Sequence, residues 1–444
     1  MAQEESNDAG IWSRIVHAPL HWQIAVALAL ALLVSLIADA ETTVFGASLV
    51  EIFDFFGGLF LNALKMIVVP LIVSSIIMGV RNMAGRENFG RVGGKTVGFY
   101  VATGLIAVVT GLVLVNVINP GGGESVKSLS ENMPDVSAQL TRVEGRDAGD
   151  LVEVISRAVP DNIFAAAVNM ELLALIFFSV VFGYFMARLR GAPSETLTNF
   201  WTAIHDVMIL ITRWVLLFAP YGVFALVGKA LLQVPLGTLV EALAWFTLTV
   251  LLALATHFFV TLPVLLRFVG GVKPYAYYGR IMPAQLMAFS TASSSATLPV
   301  SLSSARRAGV SEGTTSFVLP LGATVNMDGT ALFECVVVIF IAQAFGADLT
   351  AVDQFLVVLL ALLTSIGVAG IPAASLVAIT LILTVLGLPL EAIGLYIAVD
   401  RILDMCRTSV NVTSDLTVTA LVARTEGEDL PEVRAGESRE EAAA

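Results

Sequence analysis

Long apolar runs recur along the chain from His21 to about Thr419, separated by short polar or charged connections. Runs near residues 20–38, 51–80, 95–118, 150–189, 196–232, 238–269, 312–345 and 389–422 predict eight crossing helices. A helix needs roughly 20 apolar residues to cross the hydrocarbon layer. Uninterrupted stretches such as Ile24 to Ile37 and Phe177 to Ala187 argue for helices rather than a barrel, because backbone polar groups in lipid must be paired within the segment. Residues 274–305 and 352–386 fit this pattern badly. Their apolar halves flank Ser290 to Thr297 and Ser365 to Ser375, and each half is too short to span.

Charge placement then orients the chain. Arg81, Arg86, Arg91 and Lys95 follow the second run, Arg188 and Arg190 the fourth, and Arg267, Lys273 and Arg280 the sixth, with Arg306 and Arg307 after 274–305. The opposite connections, Asp39 to Glu51 and Gly346 to Asp353, hold no basic residue, and Gly121 to Pro160 is more acidic than basic. The basic side faces the cytoplasm, which places both termini there. This alternation requires 274–305 and 352–386 each to enter and leave on one side, the first opening inward and the second outward. Two such re-entrant hairpins, each followed by a crossing helix, form an inverted repeat with a binding site where the tips meet. Two ordinary hairpins of short helices at the surface are the alternative.

Composition narrows the class. Of 444 residues, 57% are apolar and 14% charged, which excludes a soluble globular chain of this length and gives an inner or plasma membrane protein embedded in lipid. The amino-terminal Glu4, Glu5 and Asp8, without a basic start or a small-residue cleavage site, do not read as a secretory signal. Much of the net charge of −12 lies in Glu124 to Glu153 and in a tail from Glu426, so it says little about partners, and no nucleic acid is expected. Cys335 and Cys406 sit in apolar runs and read as packing residues. His17, His21, His205 and His257 lack ligand spacing, and His257 reads as a satisfied bundle residue. Gly309 to Gly313 matches a nucleophile elbow without its strand context, Gly94-Lys95-Thr96 lacks the earlier glycine of a phosphate loop, and Asn411-Val412-Thr413 lies inside a span. No catalytic constellation emerges, so no enzyme is expected.

Ionisable residues inside a membrane cost on the order of 2.5–3.5 kcal/mol each and mark function. Asp400, Asp404, Arg407, Asn411 and Asp415 are spaced four, three, four and four apart. At about 100° per residue they share an arc of roughly 80° on the last span. An internal salt-bridge ladder is the bland reading of this face, but it leaves the extra carboxylates unexplained. Asn326-Met327-Asp328-Gly329-Thr330 invites a break in the seventh span, where free carbonyls and Asn and Asp oxygens suit a small hard cation or merely cap a kink. Glu334 follows in an apolar run, where desolvation favours a protonated carboxyl able to carry a proton or to stay neutral throughout. The tip from Thr291 to Thr297 offers hydroxyls and free amides for a carboxylate.

Four motifs in this order, Ser293-Ser294-Ser295-Ala296-Thr297-Leu298-Pro299, Asn326-Met327-Asp328-Gly329-Thr330, Ala369-Gly370-Ile371-Pro372 and Asp404 through Asn411, resemble the dicarboxylate/amino acid:cation symporter family over nearly the whole chain. The resemblance implies an all-α polytopic fold of eight transmembrane helices and two re-entrant hairpins, of the elevator glutamate-transporter type, assembled as a homotrimer. It implies a scaffold of residues 1–94 and 150–237, a moving transport domain of 95–119 and 238–424, an extracytoplasmic loop at 120–149 and a cytoplasmic tail at 425–444.

Carried over by position, Arg407 would grip the substrate's side-chain carboxylate and Asp404 its ammonium. Asn411, Thr330, Ser294 and Thr408 would take the α-carboxylate and nearby polar atoms, with Ser293, Ser295, Ile371 and Ser375 completing the substrate set. A bidentate guanidinium suits a planar carboxylate, and a buried Arg beside a buried Asp favours an acidic amino acid over a neutral one or a plain dicarboxylate.

The resemblance also implies sodium as coupling ion, with no organic cofactor. One sodium position would use Gly322, Asn326, Asn411 and Asp415, another Thr324, Met327, Ser365, Ile366 and Val368, and a third Tyr100, Thr103, Asn326 and Asp328. Gly104 stands where sodium-coupled relatives often have a hydroxyl, and Val368 where some have threonine. Glu334 matches the glutamate of proton-coupled and animal relatives. The expected function is uptake of L-glutamate or L-aspartate with sodium and a proton at Glu334. A proton-only symporter and, in another class, an ion channel lined by the last span are the alternatives.

Overall fold

The computed structural model describes residues 20–39, 41–44, 46–84, 89–123, 159–169, 172–233, 236–367 and 375–430. Apart from a two-stranded turn, Thr43–Val44 paired with Ala47–Ser48, its regular structure is helical. Four stretches among the described residues are long and apolar enough to cross a membrane: Leu49–Arg81, Arg91–Ile118, Val240–Phe268 and Glu312–Ala344. The chain is an integral membrane protein built from helices.

The first half contains α1 (Leu20–Ile37), α2 (Leu49–Ala84), α3 (Gly94–Ile118), α4 (Ile163–Val168), α5 (Leu172–Met186), α6 (Ala192–Leu216) and α7 (Ala219–Gln233). Pro70 lies inside the 36-residue α2, and Ser74 donates back to the Pro70 carbonyl at 2.7 Å. Residues 196–232, read from the sequence as one run, are instead two helices, α6 and α7, bent by 51°. Pro220, at the second position of α7, has no N–H to donate back to the end of α6, so the hydrogen-bond ladder of α6 cannot run on through it. Counted as one broken span, this pair makes a fifth membrane-length element. The expected run at 150–189 begins outside the described residues and continues as the short α4 and α5.

The second half contains α8 (Leu236–Thr256), α9 (Leu262–Phe268), α10 (Pro274–Thr291), α11 (Ser294–Arg307), α12 (Glu312–Val325), α13 (Asp328–Ala344), α14 (Ala351–Gly367), α15 (Ser375–Leu386) and α16 (Ile393–Thr425). The breaks fall where the sequence supplies breakers. Between α10 and α11, Ala292 takes the left-handed conformation, which costs an alanine roughly 1–2 kcal/mol, and Ser293 caps α11 by accepting from the Ala296 amide at 3.2 Å. Between α12 and α13, Asn326 and Met327 leave helical backbone. The α10–α11 and α14–α15 pairs each pack on one another as hairpins.

Helix α13 is the centre of this half, buried along nearly its whole length and packed by α3, α8, α14, α15 and α16. Its apolar residues from Ala331 to Ala344 belong to a core that continues into α2, α7 and α15. Cys335 is fully buried in that core, and both described cysteines are free. Helix α16 has 33 residues, and six charged side chains, Asp400, Arg401, Asp404, Arg407, Asp415 and Arg424, interrupt its apolar character. The site is built where α16 meets the broken start of α13.

Candidate functional site

The polar face expected of α16 exists and is buried. Asp400, Asp404, Arg407, Thr408, Asn411 and Asp415 are each 5% exposed or less. Arg407 reaches back along its own helix: Nη1 donates to Asp400 Oδ1 and Nε to Asp404 Oδ1, each at 3.0 Å. Its guanidinium also lies over the Phe333 ring, 4.3 Å from the centroid. Two carboxylates therefore share one buried cation, and Arg401 stands 3.7 Å from the second oxygen of Asp404. An arrangement of this kind is held by charge-assisted hydrogen bonds, for which the planar guanidinium and its parallel donors suit carboxylates.

One turn beyond Arg407, Asn411 caps the broken start of α13. Its Oδ1 accepts from the Gly329 amide at 2.7 Å and the Thr330 amide at 3.2 Å, while Nδ2 donates to Thr330 Oγ1 at 2.9 Å. Glycine at 329 is a steric requirement, since a Cβ there would stand 2.5 Å from the Arg407 carbonyl. Of the expected substrate residues, Thr330 and Asn411 therefore meet directly, while the Arg407 side chain turns to Asp404 and Asp400. Thr408 uses its hydroxyl on the Asp404 carbonyl at 2.7 Å.

A second cluster lies at the break itself. Asn326 Nδ2 donates to Asp415 Oδ1 at 2.9 Å and to Ser414 Oγ at 3.1 Å. Ser414 in turn donates to Asp328 Oδ2 at 2.5 Å, and His257 Nε2 lies 3.2 Å from the same oxygen. A Cβ on Gly322 would fall 2.5 Å from Asp415 Oδ1 and 2.6 Å from the Tyr100 hydroxyl, so α12, α16 and α3 converge here. Tyr100 donates to the Val318 carbonyl at 2.8 Å, and the buried Thr103 to the Tyr100 carbonyl at 3.2 Å. Asn326 Oδ1 and Asp328 Oδ1 are buried without a hydrogen-bond partner. Unpaired buried oxygens are rare and costly, and two of them beside a second carboxylate fit a small hard cation carried as cargo.

The remaining expected residues divide. Ser294 is buried at the start of α11, Ser293 is its cap, and Ser295 is exposed. Ser375 is buried at the start of α15 with its hydroxyl unpaired. Of the expected second sodium set, Met327 is buried at the break, Ser365 bonds the Leu362 carbonyl at 2.8 Å, and the exposed Thr324 bonds the Leu321 carbonyl at 2.9 Å. Ile366 lies in the last turn of α14, while Val368 and Ile371 lie outside the described residues. Glu334 is fully buried, and its Oε2 accepts from Thr364 at 2.8 Å.

Residues absent from the sequence expectation complete both clusters. His257, expected as a bundle residue, pairs with Asp328, and its place in the π-turn His257–Thr261 gave no signal in a helix-period pattern. Ser414, Phe333 and Thr364 are likewise unremarkable in sequence and become polar or aromatic partners only through packing.

The model of the sodium:dicarboxylate symporter family matches residues 20–425. The chain belongs to this family. As a member of a symporter family it is a transporter and not an enzyme. Among the similar proteins, a proton/sodium-glutamate symport protein of Bacillus caldotenax is 33% identical over 411 residues, covering 92% of this chain and 95% of its own. The proton/glutamate-aspartate symporter of Escherichia coli is 32% identical, covering 92% and 93%. Excitatory amino acid transporter 2 of Homo sapiens is 32% identical over 82% of this chain and 72% of its own. The matched span contains both clusters of this symporter, from Tyr100 on α3 to Asp415 on α16.

Outside the apolar runs, the end of α16 is tied down by ions. Glu426 pairs with Arg91 and Lys95, each at 2.6 Å, and their hydrogen bonds push its carboxyl down to about 2. Glu428 accepts from the Ser311 amide at 2.9 Å, the Ser311 hydroxyl at 2.7 Å and the Thr314 hydroxyl at 2.5 Å, at the start of α12.

Proposed function

We propose that this symporter takes up L-glutamate or L-aspartate together with sodium and one proton carried at Glu334. The buried Arg407, bridged to Asp400 and Asp404, is the observation that carries the reading. A single guanidinium with two acids beside it offers a planar donor pair for the substrate's side-chain carboxylate and an acid for its ammonium, a pairing suited to acidic amino acids. The names of the relatives, which include glutamate and aspartate symporters, support the same substrate class. Sodium is supported by the unpaired oxygens of Asn326 and Asp328 next to Asp415, and by the family's description.

In this reading the chain sits in the plasma membrane, the inner membrane of a bacterium, with both termini cytoplasmic and eight crossings. The α10–α11 and α14–α15 hairpins are re-entrant, with tips at Ser293 and near Ser375. Residues 95–119 and 238–424 move as an elevator against a scaffold of 1–94 and 150–237 within a homotrimer. What supports this division is packing: α5, α6 and α7 gather on α2 and α1 lies on α7, while α10 to α15 gather on α13 and α16.

Substrate binding to the purified protein in sodium tests the reading. Arg407→Lys keeps a cation between Asp400 and Asp404 but loses the planar donor pair. Its affinity for aspartate is expected to fall on the order of 10–100-fold, the worth of a charge-assisted hydrogen bond. Unchanged affinity would remove Arg407 from the substrate site. A proton-only symporter is the second reading, favoured by Gly104, where a Cβ would stand 3.3 Å from Asp328 Oδ1 but no hydroxyl is present. Uptake that ignores sodium and collapses with an uncoupler selects it.

A further inference from the structure

We propose that Thr364 is a positioning residue for proton carriage: its hydroxyl, on the first helix of the second hairpin, partners the Glu334 carboxyl in both charge states and sets the pH at which that carboxyl exchanges its proton. The inference rests on Glu334 being the proton carrier and adds the residue that governs it.

Glu334 is 0% exposed in the middle of α13, with Oε1 lacking any hydrogen-bond partner. Its other oxygen, Oε2, takes the Thr364 hydroxyl at 2.8 Å. That same hydroxyl oxygen stands 2.8 Å from the Leu360 carbonyl and 3.2 Å from the Ala361 carbonyl of its own helix. Threonines that bond only the carbonyl four residues back are common here, as at Thr110, Thr212 and Thr380. Such bonds merely satisfy a hydroxyl inside a helix. Thr364 differs in having a carboxylate oxygen as a second acceptor at the same distance.

A hydroxyl carries one proton and two lone pairs, so it serves one of these acceptors at a time. When Glu334 is ionised it accepts only, and Thr364 donates to it in a charge-assisted bond. When Glu334 binds a proton, its own O–H donates to Thr364 Oγ1, and the threonine proton turns to the Leu360 carbonyl. The balance is one proton gained from solution, one hydroxyl rotated and no other bond changed. Neither state leaves Oε2 bare, and the charged state gains the stronger bond. Three other titratable groups lie within electrostatic reach, Arg407 and Tyr396 on α16 and the adjoining Cys335, with Asp400 and Asp404 held on Arg407. All of them are unchanged by substitution at Thr364, so a difference between variants isolates the hydroxyl.

The test is labelled glutamate uptake into proteoliposomes across an acid-to-alkaline series for the wild type, Thr364→Val, Thr364→Ser and Glu334→Gln. Valine keeps the shape and removes the hydroxyl, so the ionised carboxyl loses its partner. The half-maximal pH is then expected to move upward by about one unit, the difference between a charge-assisted and a neutral hydrogen bond. Serine is expected to restore the wild-type profile, and glutamine at 334 to flatten it. A valine variant with the wild-type profile overturns the proposal, as does one slowed equally at every pH. A serine variant that shifts like valine also overturns it, because the methyl packing and not the hydroxyl would then be responsible. If Glu334→Gln keeps the wild-type pH response, the underlying assignment of the proton to Glu334 fails, and this arm tells the two failures apart.

Discussion

Arg407 and Asp400 lie seven residues apart on α16, and the guanidinium reaches two turns back to meet the carboxylate at 3.0 Å. Since Asp404 takes the same guanidinium from the adjacent turn, the cation is held before any acidic ligand arrives. A substrate carboxylate approaching Arg407 therefore meets a second negative charge at Asp400. Asp400→Asn keeps an acceptor for Nη1 and removes that charge. Acidic substrate should bind about tenfold more tightly, which equilibrium binding at fixed sodium measures. Weaker binding would mean that Asp400 orients Arg407 more than it opposes the ligand.

Gly322 is the point where the Asn326, Asp328 and Asp415 cluster has no room. A methyl there would overlap Asp415 Oδ1 at 2.5 Å and the Tyr100 hydroxyl at 2.6 Å. Gly322→Ala should raise the sodium concentration needed for half-maximal binding by at least about tenfold, through displacement of an oxygen whose placement the ion requires. Binding titrated against sodium, with potassium replacing it, reads this directly.

Much of this was legible in the sequence because helix periodicity reports faces and breakers report ends. The spacing from Asp400 to Asp415 gave the buried ionic face, Asn326-Met327 the break, and the serine run the turn at Ala292-Ser293. Which faces meet is set by packing between residues far apart in the chain. The pairing of His257 with Asp328, 71 residues away, and of Thr364 with Glu334, 30 away, left no local pattern to read. The bend between α6 and α7 did leave a signal, Pro220, which a hydropathy run overrides.

The ion cluster at the end of α16 predicts an acid-resistant latch. The carboxyl of Glu426 is held at about 2 by hydrogen bonds from Arg91 and Lys95, below its ordinary 4.5. A lowered folded value means that the contribution is full above 4.5 and is lost only as pH falls toward 2. Amide exchange at the end of α16, corrected for intrinsic rate, should remain slow at mildly acidic pH in the wild type and be fast already at neutral pH in Glu426→Gln.

Glu428 acts as a cap supplied from a distant part of the chain. It binds the Ser311 amide and two hydroxyls at the start of α12, the helix that carries Gly322 toward the break. Glu428→Ala should lower stability by about 1 kcal/mol, as loss of a helix cap does. Thermal unfolding in detergent would show a lowered midpoint, and an unchanged midpoint would deny the contact any structural weight.

Coupled uptake of an acidic amino acid is the central claim, and reconstitution into liposomes tests it most directly. Labelled glutamate and aspartate uptake would be followed with sodium and proton gradients imposed separately and together. The account predicts accumulation driven by sodium, enhanced by an inward proton gradient in the wild type and not in Glu334→Gln. Absence of accumulation of either amino acid under every gradient would contradict it.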